Sequence, residues 1–513
     1  MGLKNEKFIS PIRLFFQIIV GIILVVLQIA LYYLLFIGTR QLPYIYLISF
    51  IISLVLVIYL YNNHANVSYK ILWTVIILGF SVTGPLLYIC FGNGNNIPKR
   101  KYKKINGYLL NFIEPNDVIE ESKTDDLLGS RYLTYLHNTT GFYPFKNQGE
   151  EFYPDGALMF KGMLDAIDNA RKYIFLEYFI VASGDMLDEL ILHLEMAKSR
   201  GVEIKFLYDY VGCNVPKILK RKDKYKLVEL TNNNFVSYNP LGINLNLGIN
   251  YRDHRKILLI DGDVAFVGGI NIADEYIHKK EKYGFWRDNG MKITGDACYN
   301  YLLLFAQNWY MSSKEMLDVN KYKSIKKYSI NQGYIFPFGD GPNNRISPAY
   351  DIILKMINSA KEKIYISTPY LIIDNVFLKA IADQAKSGLE VVILVPEIAD
   401  KKIVYLMTEN NFDELISAGV KIYKLKKGFN HAKTIVVDDK YSIVGTINID
   451  YRSLFLHFEC CNLLINTPSI DEISKDLIKT TFDSTLVTKE ADKKFKPIKK
   501  LISFFLSLLS PLF

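Results

Sequence analysis

The chain opens with three long apolar runs that contain no acidic or basic side chain, at residues 14–37, 44–61 and 71–91. A helix of about 20 apolar residues crosses a hydrocarbon core of roughly 30 Å, so each run predicts a membrane-spanning helix. A cleaved signal peptide fits poorly, because the first run is too long for one and two more runs follow. Residues 1–104 are therefore predicted to form a membrane anchor, followed by a connector at residues 105–150.

The far end of the chain has a second membrane signal, a basic amphipathic tail at residues 488–513. The stretch that ends at Pro511 is too short to span a bilayer, but such a segment can lie in the headgroup layer. Docking of this segment on the protein's own core is the alternative. The lysines that directly precede its apolar stretch are Lys493, Lys494, Lys496, Lys499 and Lys500.

Between these ends the chain alternates strand-like and helix-like segments, and it does so twice. This order predicts an α/β fold of two similar halves, each with a sheet flanked by helices, at residues 151–320 and 333–487. Repeats of this kind usually meet across a pseudo-two-fold axis, so that equivalent residues share one cleft. The matching segments are 158–170 and 347–360, KYIFLEYFIVA and KIYISTPYLII, 187–199 and 376–385, and VEIKFLYDY and LEVVILVP.

The composition narrows the class of protein. Half of the 513 residues are hydrophobic, and the mean hydropathy of +0.11 excludes a disordered chain. The net charge of +9 suits an anionic surface, which leaves both nucleic acid and anionic lipid open at this point. The five cysteines are odd in number and form no CxxC pair, so they indicate neither a disulfide framework nor a zinc site.

The positions of basic residues indicate an orientation in the membrane. The densest basic cluster follows the third apolar run, and basic residues favour the cytoplasmic side, so we expect a multi-pass cell-membrane protein with its main body in the cytoplasm. The basic residues before the first run count against this orientation, because three spans place the two ends on opposite sides. The first cluster is Lys99, Arg100, Lys101, Lys103 and Lys104, and the opposing residues are Lys4, Lys7 and Arg13.

Each half carries the motif HxKxxxxD, as HRKILLID in the first and HAKTIVVD in the second. By chance, a chain with this many histidines and charged residues would contain about 0.08 copies, so two copies at matching places are significant. Each motif runs into a glycine turn that contains Asn271 or Asn448. The motif residues are His254, Lys256 and Asp261, and His431, Lys433 and Asp438.

The spacing of the motif has a chemical meaning. On a strand the histidine and the lysine two positions later share a face, while the four apolar residues after the lysine are typical of a buried strand. Two such strands bring two imidazoles and two ammonium groups into one site. The lysines and the turn asparagines can stabilise the charge on a phosphate, while one imidazole attacks phosphorus and the other protonates the leaving oxygen. This scheme needs no metal or other cofactor.

The pair of motifs resembles the phospholipase D superfamily, and the surrounding sequence resembles the bacterial cardiolipin synthase family. The motif pair specifies only the superfamily, which also contains nucleases and hydrolases. The pieces TPY, DYRS and the terminal SPLF are what indicate the synthase family. The resembling segments are EYFIVASGD, GGINIADEY, FWRDNG, STPYLIIDNVFLKAI, GTINIDYRSLFLHFE and LSPLF.

The resemblance implies a two-step transfer between two phosphatidylglycerol molecules, through a phosphatidyl-histidine, that yields cardiolipin and glycerol. By analogy His254 is the nucleophile and His431 the acid and then the base, although the two can be reversed. The residues that hold phosphate would be Lys256, Lys433, Asn271 and Asn448.

The resemblance also assigns roles to four carboxylates. Asp288 of WRD and Glu459 of HFE stand where the family keeps a carboxylate that fixes each histidine's tautomer. Asp261 and Asp438 belong to the catalytic motif, but we expect them to be structural partners at the strand ends. The sequence departs from the family's pattern at Gly269 and Thr446, where serine is common, at His457, where asparagine is more usual, and by an extra N-terminal span.

Other functions use the same residues. A membrane-bound hydrolase would need only water as the acceptor, and another phosphatidyltransferase only a different alcohol. The apolar runs and the small charge excess argue against a nuclease, and the two intact motifs argue against an inactive scaffold. We therefore expect phosphatidylglycerol and anionic membrane lipid as partners, and no nucleic acid.

Overall fold

The structure is a computed structural model. It describes residues 42–62, 67–80, 82–92, 99–110, 112, 126–214, 218–240, 251–344 and 346–488, with scattered residues between 23 and 38 and residue 506. The first predicted span at 14–37 is therefore covered only in scattered residues. The predicted tail at 488–513 lies outside the described residues except for 488 and 506.

The described part of the N-terminal region holds one helix that can cross a membrane by length and composition. It is α1 (Leu42–Asn62), within which Pro43–Asn62 is apolar and largely exposed. The third predicted span is divided into α2 (Val67–Gly79), α3 (Thr83–Leu87) and a π-helix (Tyr88–Gly92). With α2 only 13 residues long, this region is not one continuous spanning helix, and several spans are not confirmed.

The break after α2 has a local cause. Pro85 carries no backbone N–H and fits only within the first turn of a helix, so it favours a new helix start at α3. Gly84 lies against the end of α2, where an added Cβ would be 2.2 Å from the Ile76 carbonyl oxygen. The third apolar run is therefore interrupted between α2 and α3.

Two sheets with the same strand order confirm the predicted repeat. The first sheet runs β2-β9-β7-β6-β3-β4-β5, and the second contains β10-β17-β16-β15-β11-β12-β13 with β1 and β18 added at its edges. These strands are β1 (Phe145–Lys146), β2 (Glu150–Tyr153), β3 (Tyr173–Tyr178), β4 (Glu203–Asp209), β5 (Phe235–Tyr238), β6 (Lys256–Ile260), β7 (Val264–Gly268), β8 (Phe285–Arg287), β9 (Gly290–Thr294), β10 (Tyr334–Asp340), β11 (Lys363–Ser367), β12 (Glu390–Pro396), β13 (Lys421–Leu425), β14 (Gly428–Asn430), β15 (Thr434–Val437), β16 (Tyr441–Gly445), β17 (Glu459–Ile465) and β18 (Ser484–Leu486).

Helices follow the strands in the same order in both halves. The matching helices α6 (Gly156–Asp168) and α12 (Pro348–Ser359) begin at side-chain caps, because Asp155 accepts the Ala157 N–H and Ser347 accepts the Tyr350 N–H. The helices are α4 (Lys99–Leu110), α5 (Leu127–Thr140), α6 (Gly156–Asp168), α7 (Asp185–Ser199), α8 (Tyr210–Asn214), α9 (Arg221–Leu230), α10 (Cys298–Ser313), α11 (Val319–Tyr322), α12 (Pro348–Ser359), α13 (Asn375–Lys386), α14 (Lys402–Asn410), α15 (Phe412–Ala418), α16 (Tyr451–Phe455) and α17 (Ser469–Phe482).

One buried apolar cluster joins the two halves. It includes Phe175 and Ile257 of the first sheet, Val436 and Val444 of the second, and residues of α10 and α17. Each sheet has a separate cluster under the helices of its own half. The two sheets therefore pack face to face, which brings the ends of their central strands together.

Candidate active site

The two motifs lie on equivalent central strands. Lys256 is the first residue of β6, and Lys433 directly precedes β15. All residues of both strands are buried, as the apolar runs of the motifs predict. His254 and His431 stand just before the strands, and each is only 8% exposed.

The first histidine is held by the second half of the chain. The backbone N–H of His254 donates to the Phe458 carbonyl oxygen at 2.9 Å, beside an isolated parallel bridge between Asp253 and Phe458. The next residue, Glu459, places its two carboxylate oxygens 2.8 and 3.0 Å from Nδ1 of His254. A backbone contact between the halves thus sets the imidazole–carboxylate distance.

The second histidine is held in the same way by the first half. Strand β14 pairs in parallel with β8, and the backbone N–H of His431 donates to the Arg287 carbonyl oxygen at 2.7 Å. The residue after Arg287 is Asp288, whose Oδ2 lies 2.6 Å from Nδ1 of His431. The two imidazole–carboxylate couples are therefore crossed, since each imidazole is oriented by a carboxylate from the other half.

Burial sets the electrostatics of the site. It lowers the pKa of His254 and of His431 well below the ordinary value, and the positive charges of Lys256 and Lys433 lower both further. Burial also lowers the pKa of Lys256 to about 7 and of Lys433 to about 8. It raises the pKa of Asp288 to about 7, against the attraction of Lys433. The site without substrate therefore disfavours charge of either sign.

The lysines and asparagines lie around the histidines. Lys256 Nζ donates to the His254 carbonyl oxygen at 2.6 Å, and Lys433 Nζ donates to the His431 carbonyl oxygen. Asn271 donates to the Tyr276 hydroxyl at 2.6 Å and accepts the Ile180 N–H at 3.0 Å.

Asn448 is also buried, and its side-chain oxygen has no hydrogen-bond partner within the described part of the chain. Both lysines and this asparagine therefore have hydrogen-bonding capacity left for a ligand.

The motif aspartates lie at the other ends of their strands. Asp261 accepts the backbone N–H groups of Arg171, Lys172 and Tyr173 at 2.9, 2.7 and 2.9 Å. In the second half, Asp438 accepts three consecutive N–H groups at 2.9, 2.8 and 3.0 Å, from residues 361–363. Each aspartate thereby ties the start of strand β3 or β11 to the end of the motif strand.

Two features of the site were not predicted from the sequence. Thr446 donates its hydroxyl to a Glu459 carboxylate oxygen. Its counterpart Gly269 leaves room for Asp288, because an added Cβ there would be 2.1 Å from Asp288 Oδ1. In the sequence the two positions differ only from a common serine, and nothing local indicates that each faces the carboxylate of a couple.

The second feature is Arg255, which stands between the histidine and lysine of the first motif and is fully buried. It donates to the carbonyl oxygens of Leu304 at 3.0 Å and Glu459 at 3.3 Å, and it lies 3.7 Å from the Glu177 carboxylate. It therefore links β3, α10 and the strand that carries Glu459. The sequence does not indicate this buried role of Arg255, because an arginine at a variable position of a motif is ordinarily exposed.

Sequence families match both parts of the chain. The family described as "Cardiolipin synthase, PLD-like domain" matches residues 163–290 and 353–481, which contain both motifs. A second family, "Phospholipase_D-nuclease N-terminal", matches residues 50–93, which overlap α1. Together with the apolar helix α1, this second match indicates a membrane protein.

Curated relatives match most of the chain. A cardiolipin synthase of Geobacillus kaustophilus is 34% identical over 471 residues, which cover 90% of this chain and 92% of that protein. One of Alkalihalophilus pseudofirmus is 33% identical over 469 residues, with 90% and 92% covered. An uncharacterized protein of Streptococcus mutans is 34% identical over 463 residues, with 89% and 99% covered.

A solved structure shares the fold. The crystal structure of phosphatidylserine synthase from Haemophilus influenzae superposes with a TM-score of 0.57 at 17% identity, covering 75% of this chain and all of that one. The two motifs, the crossed couples that they form, the family matches and the relatives agree. The chain therefore belongs to the cardiolipin synthase family, whose phosphatidyltransferases are built from two phospholipase D-like halves.

Proposed function

We propose that this chain makes cardiolipin by using phosphatidylglycerol as both donor and acceptor of the phosphatidyl group. The observation that carries the proposal is the pair of crossed imidazole–carboxylate couples in one buried site. A transfer in two steps needs one nucleophile and one acid that later acts as a base, and the two couples match these roles. Family membership supports the choice of a phosphatidyl transfer over other phosphoryl chemistry.

In the proposed first step, Nε2 of His254 attacks the phosphorus of one phosphatidylglycerol. The bond from phosphorus to the headgroup oxygen breaks, His431 donates its Nε2 proton to that oxygen, and glycerol leaves. The position of Glu459 beside Nδ1 supports this role of His254, because a carboxylate there keeps the Nδ1 proton and leaves the Nε2 lone pair for phosphorus. A phosphatidyl-histidine remains.

In the proposed second step, the terminal hydroxyl of a second phosphatidylglycerol attacks the same phosphorus. His431, now neutral, removes the hydroxyl proton, the bond between phosphorus and Nε2 breaks, and cardiolipin forms. Asp288 stabilises the imidazolium that results. His254 is thereby restored for the next cycle.

The negative charge of the substrate changes the protonation of the site. Burying the charged forms of Lys256 and Lys433 costs free energy when no anion is present. A phosphodiester that enters the site supplies a negative charge and therefore favours the protonated lysines. The same negative charge raises the pKa of His431, which must be protonated to act as the acid. Asn271 and Asn448 complete the phosphate site, and Asp261 and Asp438 act only on the strands.

A single assay tests this function. Detergent-purified protein with labelled phosphatidylglycerol as the only lipid should release labelled cardiolipin and glycerol. Phosphatidic acid as the product would indicate a hydrolase instead. His254→Ala and His431→Ala should each abolish turnover, whereas His193→Ala, which removes a half-buried imidazole paired with Asp168, should not. Turnover that is unchanged in both active-site variants would contradict the proposal.

The order of the histidines is tested separately. The protein is mixed with donor whose phosphate is labelled, quenched in mild alkali because the P–N bond is labile in acid, and digested. Label on the peptide with His254 is the expected result, and label on the peptide with His431 would reverse the two roles.

We also propose the arrangement at the membrane: a multi-pass anchor at residues 1–104, a connector at 105–150, cytoplasmic halves at 151–320 and 333–487, and a tail at 488–513 on the membrane surface. The exposed lysines of α4, Lys101, Lys103 and Lys104, support a position near anionic lipid.

Cysteine labelling tests the orientation. Cys213, Cys298, Cys460 and Cys461 are buried, so Lys280→Cys in a Cys90→Ser background offers an exposed thiol. An impermeant maleimide should label it only after permeabilisation. Labelling in intact cells would place the two halves outside.

A further inference from the structure

A third histidine stands beside the first imidazole–carboxylate couple and has no part in the proposed transfer. The rings of His457 and His254 have their centroids 5.4 Å apart, at an interplanar angle of 42°. Nδ1 of His457 lies 3.8 Å from Glu459 Oε1, which is too far for a hydrogen bond, and it has no other partner within the described residues. The side chain of His457 is only 12% exposed. Burying a nitrogen without a hydrogen-bond partner costs free energy, and a ligand bound to that nitrogen would remove the cost.

The three side chains form a donor set that suits a transition-metal ion. One donor atom each from His254, His457 and Glu459 lies within 4.8 Å of the other two. Bonds of about 2.0–2.2 Å to zinc place tetrahedral ligand atoms roughly 3.3 Å apart. The distances here from Glu459 Oε1, 2.8 Å to Nδ1 of His254 and 3.8 Å to Nδ1 of His457, lie on either side of that value. Two imidazoles and one carboxylate leave the fourth position to water.

We propose that His254, His457 and Glu459 bind a divalent transition-metal ion such as Zn²⁺, and that the bound ion switches off phosphatidyl transfer. The inhibition rests on the function proposed above, whereas the binding of the ion does not. The site lies on the Nδ1 side of His254, behind the nitrogen that faces the substrate.

The inhibition follows from the tautomer of His254. An ion on Nδ1 takes the lone pair there, and the proton of the neutral ring moves to Nε2, so the ring neither gains nor loses a proton. Nε2 then carries N–H and has no lone pair with which to attack phosphorus. Glu459, now a metal ligand, no longer holds the Nδ1 proton. The ion therefore inactivates the nucleophile without occupying the phosphate site.

The other couple provides an internal comparison. Trp286 stands two residues before Asp288, as His457 stands two residues before Glu459, and its ring lies 5.3 Å from that of His431 at 45°. The two aromatic residues thus occupy equivalent places. An indole N–H is a donor only and cannot bind a cation. Among the residues that the structure describes, the couple of His431 and Asp288 therefore has no third ligand, and we expect one ion per chain at the His254 site.

Binding is measured with the full chain in detergent and Co²⁺ alone, because Co²⁺ in a four-coordinate site has visible absorption bands. The wild type should titrate to one Co²⁺ per chain, and EDTA should remove the bands. His457→Gln should lower the Co²⁺ affinity at least about 10-fold, and His254→Ala should do the same. His193→Gln, which removes a half-buried imidazole paired with Asp168, should leave the affinity unchanged. Equal affinity in wild type and His457→Gln would overturn the site.

Inhibition is measured by the Zn²⁺ concentration that halves each variant's own activity. That concentration should rise at least about 10-fold in His457→Gln and stay unchanged in His193→Gln, with recovery on addition of EDTA. Binding of Co²⁺ without loss of transfer on addition of Zn²⁺ would overturn the inhibitory role and leave the site standing. If no variant transfers a phosphatidyl group, the function proposed above fails, while the Co²⁺ titration still decides the metal site.

Discussion

At the scale of single residues, the site depends on two short contacts that hold imidazoles in one tautomer. Asp288 and Glu459 each accept from an Nδ1 nitrogen, and each is fully buried. A carboxylate in this place orients the ring and stabilises its charged form. The surroundings of the two rings differ, because His431 is enclosed by Tyr276, Trp286 and Phe429, whereas Phe179 and His457 lie beside His254.

Asp288→Asn should lower kcat about 10²- to 10⁴-fold with little change in KM. The amide NH₂ can donate to Nδ1 of His431, which favours the tautomer with its proton on Nε2, and the ring then cannot act as the base. The measurement is steady-state transfer by the purified variant. Asp340→Asn is the control, because Asp340 is an equally buried aspartate outside the crossed couples, where it accepts from Ser347 and the Ala349 N–H. An equal loss of kcat in both variants would contradict the role of Asp288.

The pH dependence of the reaction should report Lys433. Burial lowers the pKa of Lys433 to about 8, so the free enzyme loses this positive charge above that pH, and kcat/KM should fall on the alkaline side. A bound phosphate favours the protonated form, so kcat should fall only at a higher pH. In Lys433→Arg the guanidinium stays charged, and the decline that Lys433 causes should be missing even though total activity is lower. An identical alkaline limb in the variant would exclude Lys433 as its source.

At the scale of elements, each half contains the same contact between the motif aspartate and the start of a neighbouring strand. Asp261 follows β6, Asp438 follows β15, and both adopt a left-handed backbone, with φ of 54° and 55°. Each carboxylate then receives three consecutive N–H groups at the start of the neighbouring strand. The last residue of the motif thereby keeps the motif strand in register with β3 or β11, far from the imidazoles.

Asp261→Ala should reduce the free energy of unfolding by about 2–3 kcal/mol, because three N–H groups lose a charged acceptor. Asp261→Asn should cost less, since it keeps one acceptor oxygen and tolerates the left-handed backbone. Urea unfolding in detergent measures the stability, and kcat of the folded protein should stay within about threefold of wild type. A large loss of kcat with unchanged stability would instead indicate a direct part in catalysis.

At the scale of the whole molecule, one active site is built from both halves and is connected to the membrane-proximal region. Helix α4 buries Tyr102 against the site, where its ring stacks on Phe458 at 5.3 Å and its hydroxyl lies 2.9 Å from that of Tyr238. Phe458 is the residue whose carbonyl oxygen holds the backbone of His254. The same helix also carries exposed lysines, so α4 packs against Phe458 behind His254 with one side and is open to solvent on another.

Because both histidines of a site belong to one chain, two inactive variants should not complement each other. His254→Ala and His431→Ala proteins, mixed or co-expressed, should make no more cardiolipin than either alone. Co-expression of His254→Ala with wild type is the control for expression and membrane insertion. Recovered activity would mean that halves of different chains combine, which the face-to-face packing of the two sheets within one chain does not predict.

The sequence by itself determined the repeat, the paired motifs, the apolar N-terminal region and the family. These features are local, because strand and helix periodicity, residue spacing and apolar run length can be recognised within a few tens of residues. Only the tertiary structure decided that His254 meets Glu459, 205 residues away, and that His431 meets Asp288, 143 residues away. It also decided that His457 lies beside His254, and that the third apolar run breaks where Gly84 packs on α2. Such contacts depend on how two separately formed sheets pack against each other, and no local pattern encodes that packing.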